Sequence, residues 1–284
     1  MWTMRIRMAC IVGVAVALGT AQQAEAEAII PLDQDRNVYG FVIVPHCGGD
    51  ATDSDEAIGF GPFDGAAEAV WGCSLAGATA LASQQSGIGV SSLTAAGTSY
   101  SEASAGVPDI IHAIAVSFFE VTFELPSPGS FLLAGVIGAA NSDDPEVGAF
   151  AAVRLTFAPG NKTVFEHTLS AGPGTAESEE IEEAGLLEAG VYTFRAQAAT
   201  IVDNDVPPSR LAEASFDLAF EVATGDLDGD GDVDLDDFDE FPVCFTGPGG
   251  GAPPPCHTFD FDFDNDVDLA DFGALQFLFT GPLI

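Results

Sequence analysis

Apolar and polar residues alternate along the middle of this chain. Phe119, Val121, Phe123 and Leu125 alternate with Glu120, Thr122 and Glu124, the period-two signature of a half-buried strand. Just upstream, Ile114, Val116 and Phe118 hold the opposite phase. The change of phase at Phe118-Phe119 predicts a β-bulge within a β-rich stretch from Ile110 to Leu125. Pro126 to Gly129 read as a turn, and Phe131 to Ile137 as a buried returning strand. Val153, Leu155 and Phe157 alternate with Arg154 and Thr156. Pro159-Gly160-Asn161-Lys162 supplies a hairpin turn, from which Thr163–Leu169 pairs back. Leu187 to Phe194 leads into a strand reaching about Thr200. Phe216, Leu218, Phe220 and Val222 alternate with Asp217, Ala219 and Glu221 as the last strand.

The pattern is weaker elsewhere. Val38 to Pro45 is β-branched and aromatic and reads as a strand. A loop rich in Gly and Asp follows through Gly65, and Trp71-Gly72-Cys73 is expected to anchor it to the core. Small residues dominate 76–107, where two strands are read around Ala78–Gln84 and Ile88–Ala95. Glu177 to Glu183 reads as an acidic loop or a single helical turn. About eight strands with turn residues between them predict a mainly β fold, an antiparallel β-sandwich of jelly-roll or Ig-like kind, over residues 27–223.

The period changes after Thr224-Gly225. Asp226, Asp228 and Asp230 alternate, Gly231 follows where the backbone must turn, and Asp232, Val233, Asp234 and Asp237 complete a loop of twelve residues. Ligands at positions 1, 3, 5, 7, 9 and 12 with Gly at 6 are the layout of an EF-hand calcium loop. Position 7, Asp232, is expected to use its backbone carbonyl, and position 9, Asp234, to act through a water. Asp260, Asp262, Asp264, Asp266, Asp268 and Asp271 repeat the series, with Val267 and Phe272 matching Val233 and Phe238. Asn265 stands where the first loop has Gly, and Asn tolerates the left-handed conformation. One acidic run is ordinarily a solvated segment; two in register point to two bound Ca2+ ions.

Residues 224–284 resemble the type I dockerin family, whose members carry two such loops, each followed by a helix. Asp at position 12, here Asp237 and Asp271, is the habit of that family. The resemblance implies a small α-helical calcium-binding domain that docks to a cohesin-like or other surface protein. Family members often carry small hydroxylated residues at positions 10 and 11, where this chain has Leu235-Asp236 and Leu269-Ala270. The helix after the first loop is expected from Leu235 to Phe241, ending at Pro242. Phe238, Phe241, Phe272 and Phe277 are expected to form the small core or the docking face. The Gly- and Pro-rich stretch Gly247 to Pro255 reads as a solvated excursion.

Composition narrows the function. The net charge is −37, with 44 acids against seven Lys and Arg, and no Lys or Arg follows Arg210. Nucleic acid and anionic membrane are therefore poor partners, and the acidic tail is expected to fold only with calcium bound. Arg5 and Arg7 followed by an apolar run from Ala9 to Gly19 read as a secretory signal over residues 1–26. Ala24-Glu25-Ala26 and Ala26-Glu27-Ala28 are alternative cleavage sites. Cys47, Cys73, Cys244 and Cys256 then remain, an even number that suggests disulfides in an exported chain. Proximity favours Cys47–Cys73 and Cys244–Cys256. No later apolar stretch is long enough to span a bilayer.

No Gly-x-Ser-x-Gly, His-Glu-x-x-His or phosphate-loop motif occurs. His46, His112, His167 and His257 are scattered. His46 beside Cys47 reads as a loop residue next to a disulfide, and His112 as structural. The expected protein is thus secreted and non-enzymatic, a sandwich attached to a partner or a surface by its calcium module. The alternative is a carbohydrate-active sandwich, binding or hydrolysing polysaccharide, delivered by the same tail. Trp71, Tyr39, Tyr100 and Tyr192 would be its stacking candidates.

Overall fold

The structure, a computed structural model, describes residues 28–106, 110–142, 147–204, 209–228, 230, 232–254 and 256–280. The proposed signal segment and Gly231 lie outside the described residues. Twelve strands are present among them: β1 Ile30–Val44, β2 Gly49–Glu56, β3 Phe63–Gly72, β4 Ala76–Ile88, β5 Ser92–Ala105, β6 Ile111–Leu125, β7 Gly129–Asn141, β8 Val147–Phe157, β9 Lys162–Ser170, β10 Ala176–Leu187, β11 Gly190–Asn204 and β12 Arg210–Ala223. They form two antiparallel six-stranded sheets, ordered β2-β1-β6-β11-β8-β9 and β10-β7-β12-β5-β4-β3. The sheets face each other strand over strand, with β2 near β3, β6 near β5 and β9 near β10. Two short helices follow, α1 Leu235–Cys244 and α2 Leu269–Leu278. No helix among the described residues is long and apolar enough to cross a membrane.

The space between the sheets has two characters. One end is aromatic, with Phe119, Phe123, Phe194, Phe216 and Phe220 almost fully buried. The other is built from Ala and Val, including Ala69, Ala78, Ala80, Ala103, Ala113 and Val42. The backbones approach closely there: a Cβ on Gly40 of β1 would lie 3.0 Å from the Ala80 carbonyl oxygen of β4. Small side chains are what such a spacing admits. They also carry little hydropathy contrast, which hid the true lengths of β4 and β5.

Several expectations need correction. The Gly- and Asp-rich stretch before Gly65 contains β2 and the start of β3, and Glu177 to Glu183 lies within β10. Both acidic strands are sheet edges, so their residues are held by backbone pairing and few of them face the core. No bulge occurs at Phe118-Phe119, because β6 pairs one-to-one with β11 from Ile111 to Leu125. Ile114, Val116 and Phe118 simply occupy the outer face, half-buried, and the Arg195 guanidinium lies over the Phe118 ring at 4.6 Å. The register shifts fall instead at Pro31/Asp33 and Leu155/Thr156. Trp71 is 40% exposed and not a core anchor; its ring covers Gly49, where a Cβ would meet it at 2.3 Å. Helix α1 continues past Pro242 to Cys244, since the proline sits in the last turn and forfeits only its own donor.

Both expected disulfides are formed, Cys47–Cys73 and Cys244–Cys256. The first ties the turn after β1 to the end of β3. The second ties the end of α1 to the turn of 3-10 helix at Cys256–Phe259.

Candidate metal centre

Strand β12 runs directly into the acidic loops. Ala223, its last residue, is buried among Val233, Phe241, Phe259, Phe261, Val267, Leu275 and Leu278. The Gly225 N–H donates to the Thr258 carbonyl at 3.0 Å and lies 3.1 Å from Thr258 Oγ1. The acidic segment is therefore packed onto the sheets and does not hang from a free linker.

Within each loop the closing aspartate does two jobs. Asp237 Oδ1 accepts from the Leu227 N–H at 2.7 Å, while its Oδ2 accepts from the Asp234 N–H at 2.9 Å. Asp234 in turn accepts from the Asp236 N–H at 2.7 Å, which completes a capping box on α1. Asp271 repeats this on α2, accepting from Phe261 N–H and Asp268 N–H, both at 2.7 Å. Donors left open by the first turn of each helix are thus taken up by the carboxylates that line the loop.

The carboxylates converge in four groups: Asp226, Asp228 and Asp237; Asp232, Asp234 and Asp237; Asp260, Asp262 and Asp271; and Asp266, Asp268 and Asp271. Within each group, one oxygen per residue lies within 4.8 Å of the others, so the groups could hold a metal ion. Asp230 and Asp264 stay outside them among the described residues. Each accepts at 3.1 Å from the N–H two residues on, Asp232 and Asp266 respectively. The side chains of Asp232 and Asp266 are 97% buried and join the groups directly, beyond the backbone role expected of position 7. Asn265 adopts φ 66°, the left-handed conformation anticipated for it, and Phe263 joins it at φ 58°.

The electrostatics are one-sided. Burial, reinforced by Asp271, Asp264 and Asp262, pushes the Asp260 carboxyl up to about 6. Burial likewise raises Asp237, Asp262 and Asp271 above the usual carboxylate range. Among the described residues no cationic side chain contributes to these shifts, and no Lys or Arg follows Arg210 in the chain. Asp266 adds a second sign: its Oδ2 accepts from the Gly249 N–H, whereas Oδ1 is buried without a hydrogen-bond partner among the described residues. An all-oxygen donor set with an unmet buried acceptor fits a hard cation.

One organising feature escaped sequence reading. The segment Thr224 to Pro248 recurs as Thr258 to Pro282, so that Phe245-Thr246-Gly247-Pro248 matches Phe279-Thr280-Gly281-Pro282. The repeats exchange contacts. The Val233 N–H donates to Thr280 Oγ1 at 3.0 Å and the Thr280 N–H to the Val233 carbonyl at 2.9 Å. Reciprocally, the Val267 N–H donates to Thr246 Oγ1 at 3.1 Å and the Thr246 N–H to the Val267 carbonyl at 3.0 Å. Position 8 of each loop is pinned by the threonine that follows the other repeat's helix.

Of the four phenylalanines assigned to a core or a docking face, Phe241 is buried, and Phe238 and Phe272 pack half-buried against the same cluster. Phe277 is 85% exposed. Exposed apolar residues come in pairs matched by the repeat: Leu235 with Leu269, Val243 with Phe277, and Phe245 with Phe279.

Elsewhere, an open groove of about 740 Å³ crosses the outer face of the second sheet, lined by Asp64, Gln85, Thr94, Ala134 and Asp217 among others. Phe63 is its one aromatic lining residue and is itself buried.

No family model matches the chain, and no curated protein matches it. Solved structures that overlap it in part include an enzyme and a virus particle. A GH31 alpha-xylosidase from Xanthomonas citri aligns at 7% identity over 66% of this chain and 38% of that one, with a TM-score of 0.18. The T13 IBDV viral particle aligns at 8% identity over 69% of this chain and 78% of that one, with a TM-score of 0.15. The chain spans less than two thirds of the xylosidase, and at these scores neither likeness carries an argument about fold or chemistry.

Proposed function

We propose that the chain is a secreted, non-enzymatic calcium-binding protein whose residues 224–284 form a dockerin-like attachment module for a β-sandwich, jelly-roll or Ig-like, over residues 27–223. The observation that carries this is the double use of Asp237 and Asp271. Each closes a carboxylate group and caps a helix at once, so a cation held there orders the helix that begins there. One Ca2+ per loop is the stoichiometry of the EF-hand pattern. Asp226, Asp228, Asp230, Asp232, Asp234 and Asp237 would serve the first ion, and Asp260, Asp262, Asp264, Asp266, Asp268 and Asp271 the second.

The paired exposed residues Leu235, Leu269, Val243 and Phe277 would then be the docking face for a cohesin-like or other surface protein. Two disulfides accord with an oxidising, extracellular setting. Titration calorimetry of the full chain with Ca2+, beside far-UV circular dichroism before and after chelation, tests the reading. Two ions bound with a gain of helical signal are expected. An absence of binding in wild type, or the same binding after Asp237→Asn and Asp271→Asn together, would remove the basis for the module.

A further inference from the structure

We propose that His167 is a proton-operated latch joining the free edges of the two sheets. It lies on β9, the edge of the first sheet, and opposite it stands β10, the edge of the second. Inward positions of β9 are Phe165, His167 and Leu169; those of β10 include Glu179, Ile181 and Glu183. His167 Nδ1 lies 2.7 Å from Glu179 Oε1, and Nε2 lies 3.1 Å from Glu183 Oε1. The imidazole is thus gripped at both nitrogens by carboxylates of the other sheet.

The chemistry of the ring makes this arrangement selective. Neutral imidazole has one N–H, and its other nitrogen is an acceptor that would face a carboxylate oxygen lone pair. Both contacts are favourable only when the ring carries two protons, so the geometry is that of an imidazolium between two carboxylates. Other elements packed here offer no competing charge among the described residues. On β8 the inward neighbours are Ala151, Val153 and Leu155, and on β7 they are Leu133, Gly135 and Ile137. Glu166 points outward with Arg154 as its register partner, Glu180 and Glu182 are exposed on the outer face of β10, and Glu177 is exposed near its start. Glu179 and Glu183 are therefore the charges that decide the state of the ring.

The latch matters because this edge is otherwise weakly closed. Ile181 and Leu187 are the buried residues of β10, so little apolar area resists its opening. While the ring holds both protons and Glu179 and Glu183 are ionised, both carboxylates are engaged. As the ring loses its proton, one of the two contacts turns repulsive and β10 is released first.

Hydrogen exchange on the full chain, resolved to peptides and corrected for intrinsic rates, tests this between pH 5 and pH 8. Protection across β10 is expected to fall about tenfold at the higher pH, the loss of one hydrogen bond to a charged group, while β6 and β11 stay unchanged. His167→Gln should remove the pH dependence in β10. Glu183→Gln serves as a second variant, since it should halve the grip without emptying the position. Ring 15N shifts at pH 5 should show both nitrogens of His167 protonated. A neutral tautomer at pH 5, or the same pH dependence in wild type and His167→Gln, would overturn the proposal.

Discussion

Replacing Thr280 by Val tests whether the two repeats hold each other. The substitution keeps shape and removes the hydroxyl that accepts from the Val233 N–H at 3.0 Å. Val233 is fully buried, so its N–H would be left without that acceptor. An unsatisfied buried donor costs about 1–3 kcal/mol. Thr280 itself is exposed, and partial access of water places the loss at the lower end, about 1–2 kcal/mol. Cores of this size supply only about 3–5 kcal/mol, so the effect is a large part of the margin. With a urea slope of about 1 kcal/mol/M for so small a unit, the midpoint should fall by about 1–2 M.

The residue distribution offers a clean assay. Trp71, Tyr39, Tyr100 and Tyr192 all lie in strands and no Trp or Tyr follows residue 223, so their fluorescence follows the sheets. The helical circular dichroism signal reports α1 and α2. In Thr280→Val the helical transition should move to lower urea while the fluorescence transition stays. Thr246→Val should do the same through Val267, by a similar amount. An unmoved helical transition in both variants would refute the reciprocal pinning. A large effect from one and none from the other would refute its symmetry.

Three further perturbations probe separate parts. Arg36 is fully buried, with Nη2 donating to the carbonyls of Gly59 at 2.7 Å and Gly61 at 2.8 Å. Arg36→Met should cost about 2–4 kcal/mol in fluorescence-detected unfolding and open the exposed Ile58 region to limited proteolysis. In Gly135→Ala the new Cβ would stand 2.1 Å from the Asp217 carbonyl oxygen, at φ 154°. Separation of β7 from β12 should appear as loss of soluble protein or a fall of more than about 3 kcal/mol in stability. For pH, Asp260 sits at about 6 when folded and near 3.9 when unfolded. Its raised value makes the cation-free fold bind more protons than the unfolded chain between these limits. Stability of α1 and α2 in chelator should therefore be greatest near pH 4 and decline through pH 6, by at most about 3 kcal/mol from this group. Calcium affinity should move the opposite way, rising with pH as protons leave the loop. Helical melting temperatures with and without chelator at pH 4.5, 6 and 7.5 check both signs.

How legible the fold was depends on what holds each strand. The strands of the aromatic end announce themselves because one face is Phe, Val or Leu and the other charged, as in Phe119 to Leu125. In β4, Ala76, Ala78, Ala80 and Ala82 are equally buried, but Ala opposite Gly, Thr or Ser leaves almost no contrast. The edge strands β2 and β10 have few core-facing residues, and β2 none that is fully buried. Their pairing is made by backbone groups that every sequence carries. The acidic loops were the clearest feature because the regular Asp spacing is visible in the sequence itself, and the structure gathers those carboxylates into groups that could hold a metal ion. Even there the exchange through Thr246 and Thr280 went unread, since a threonine bonded to a distant loop looks like any other threonine.

The charge of −37 serves two physical ends. On β2 and β10 the carboxylates stand along exposed edges, and repulsion there discourages a second sheet from adding to the open backbone. That function is complete in water, where ions screen the charges within about 10 Å. In the loops the same residue type is buried: Asp226, Asp237, Asp260 and Asp271 are each at least 94% removed from solvent. Screening fails there, and the raised carboxyl of Asp260 measures the cost. Protons or a cation must meet it. Protons would occupy the oxygens one at a time, whereas a cation can satisfy several at once and leave the capping bonds of Asp237 and Asp271 intact. If the loops served only as acidic caps, neutralising Asp226 and Asp260 to Asn should stabilise the fold equally with and without Ca2+. On the present reading it stabilises the chelated protein and weakens the calcium-loaded one, and that opposition of signs is the feature to measure.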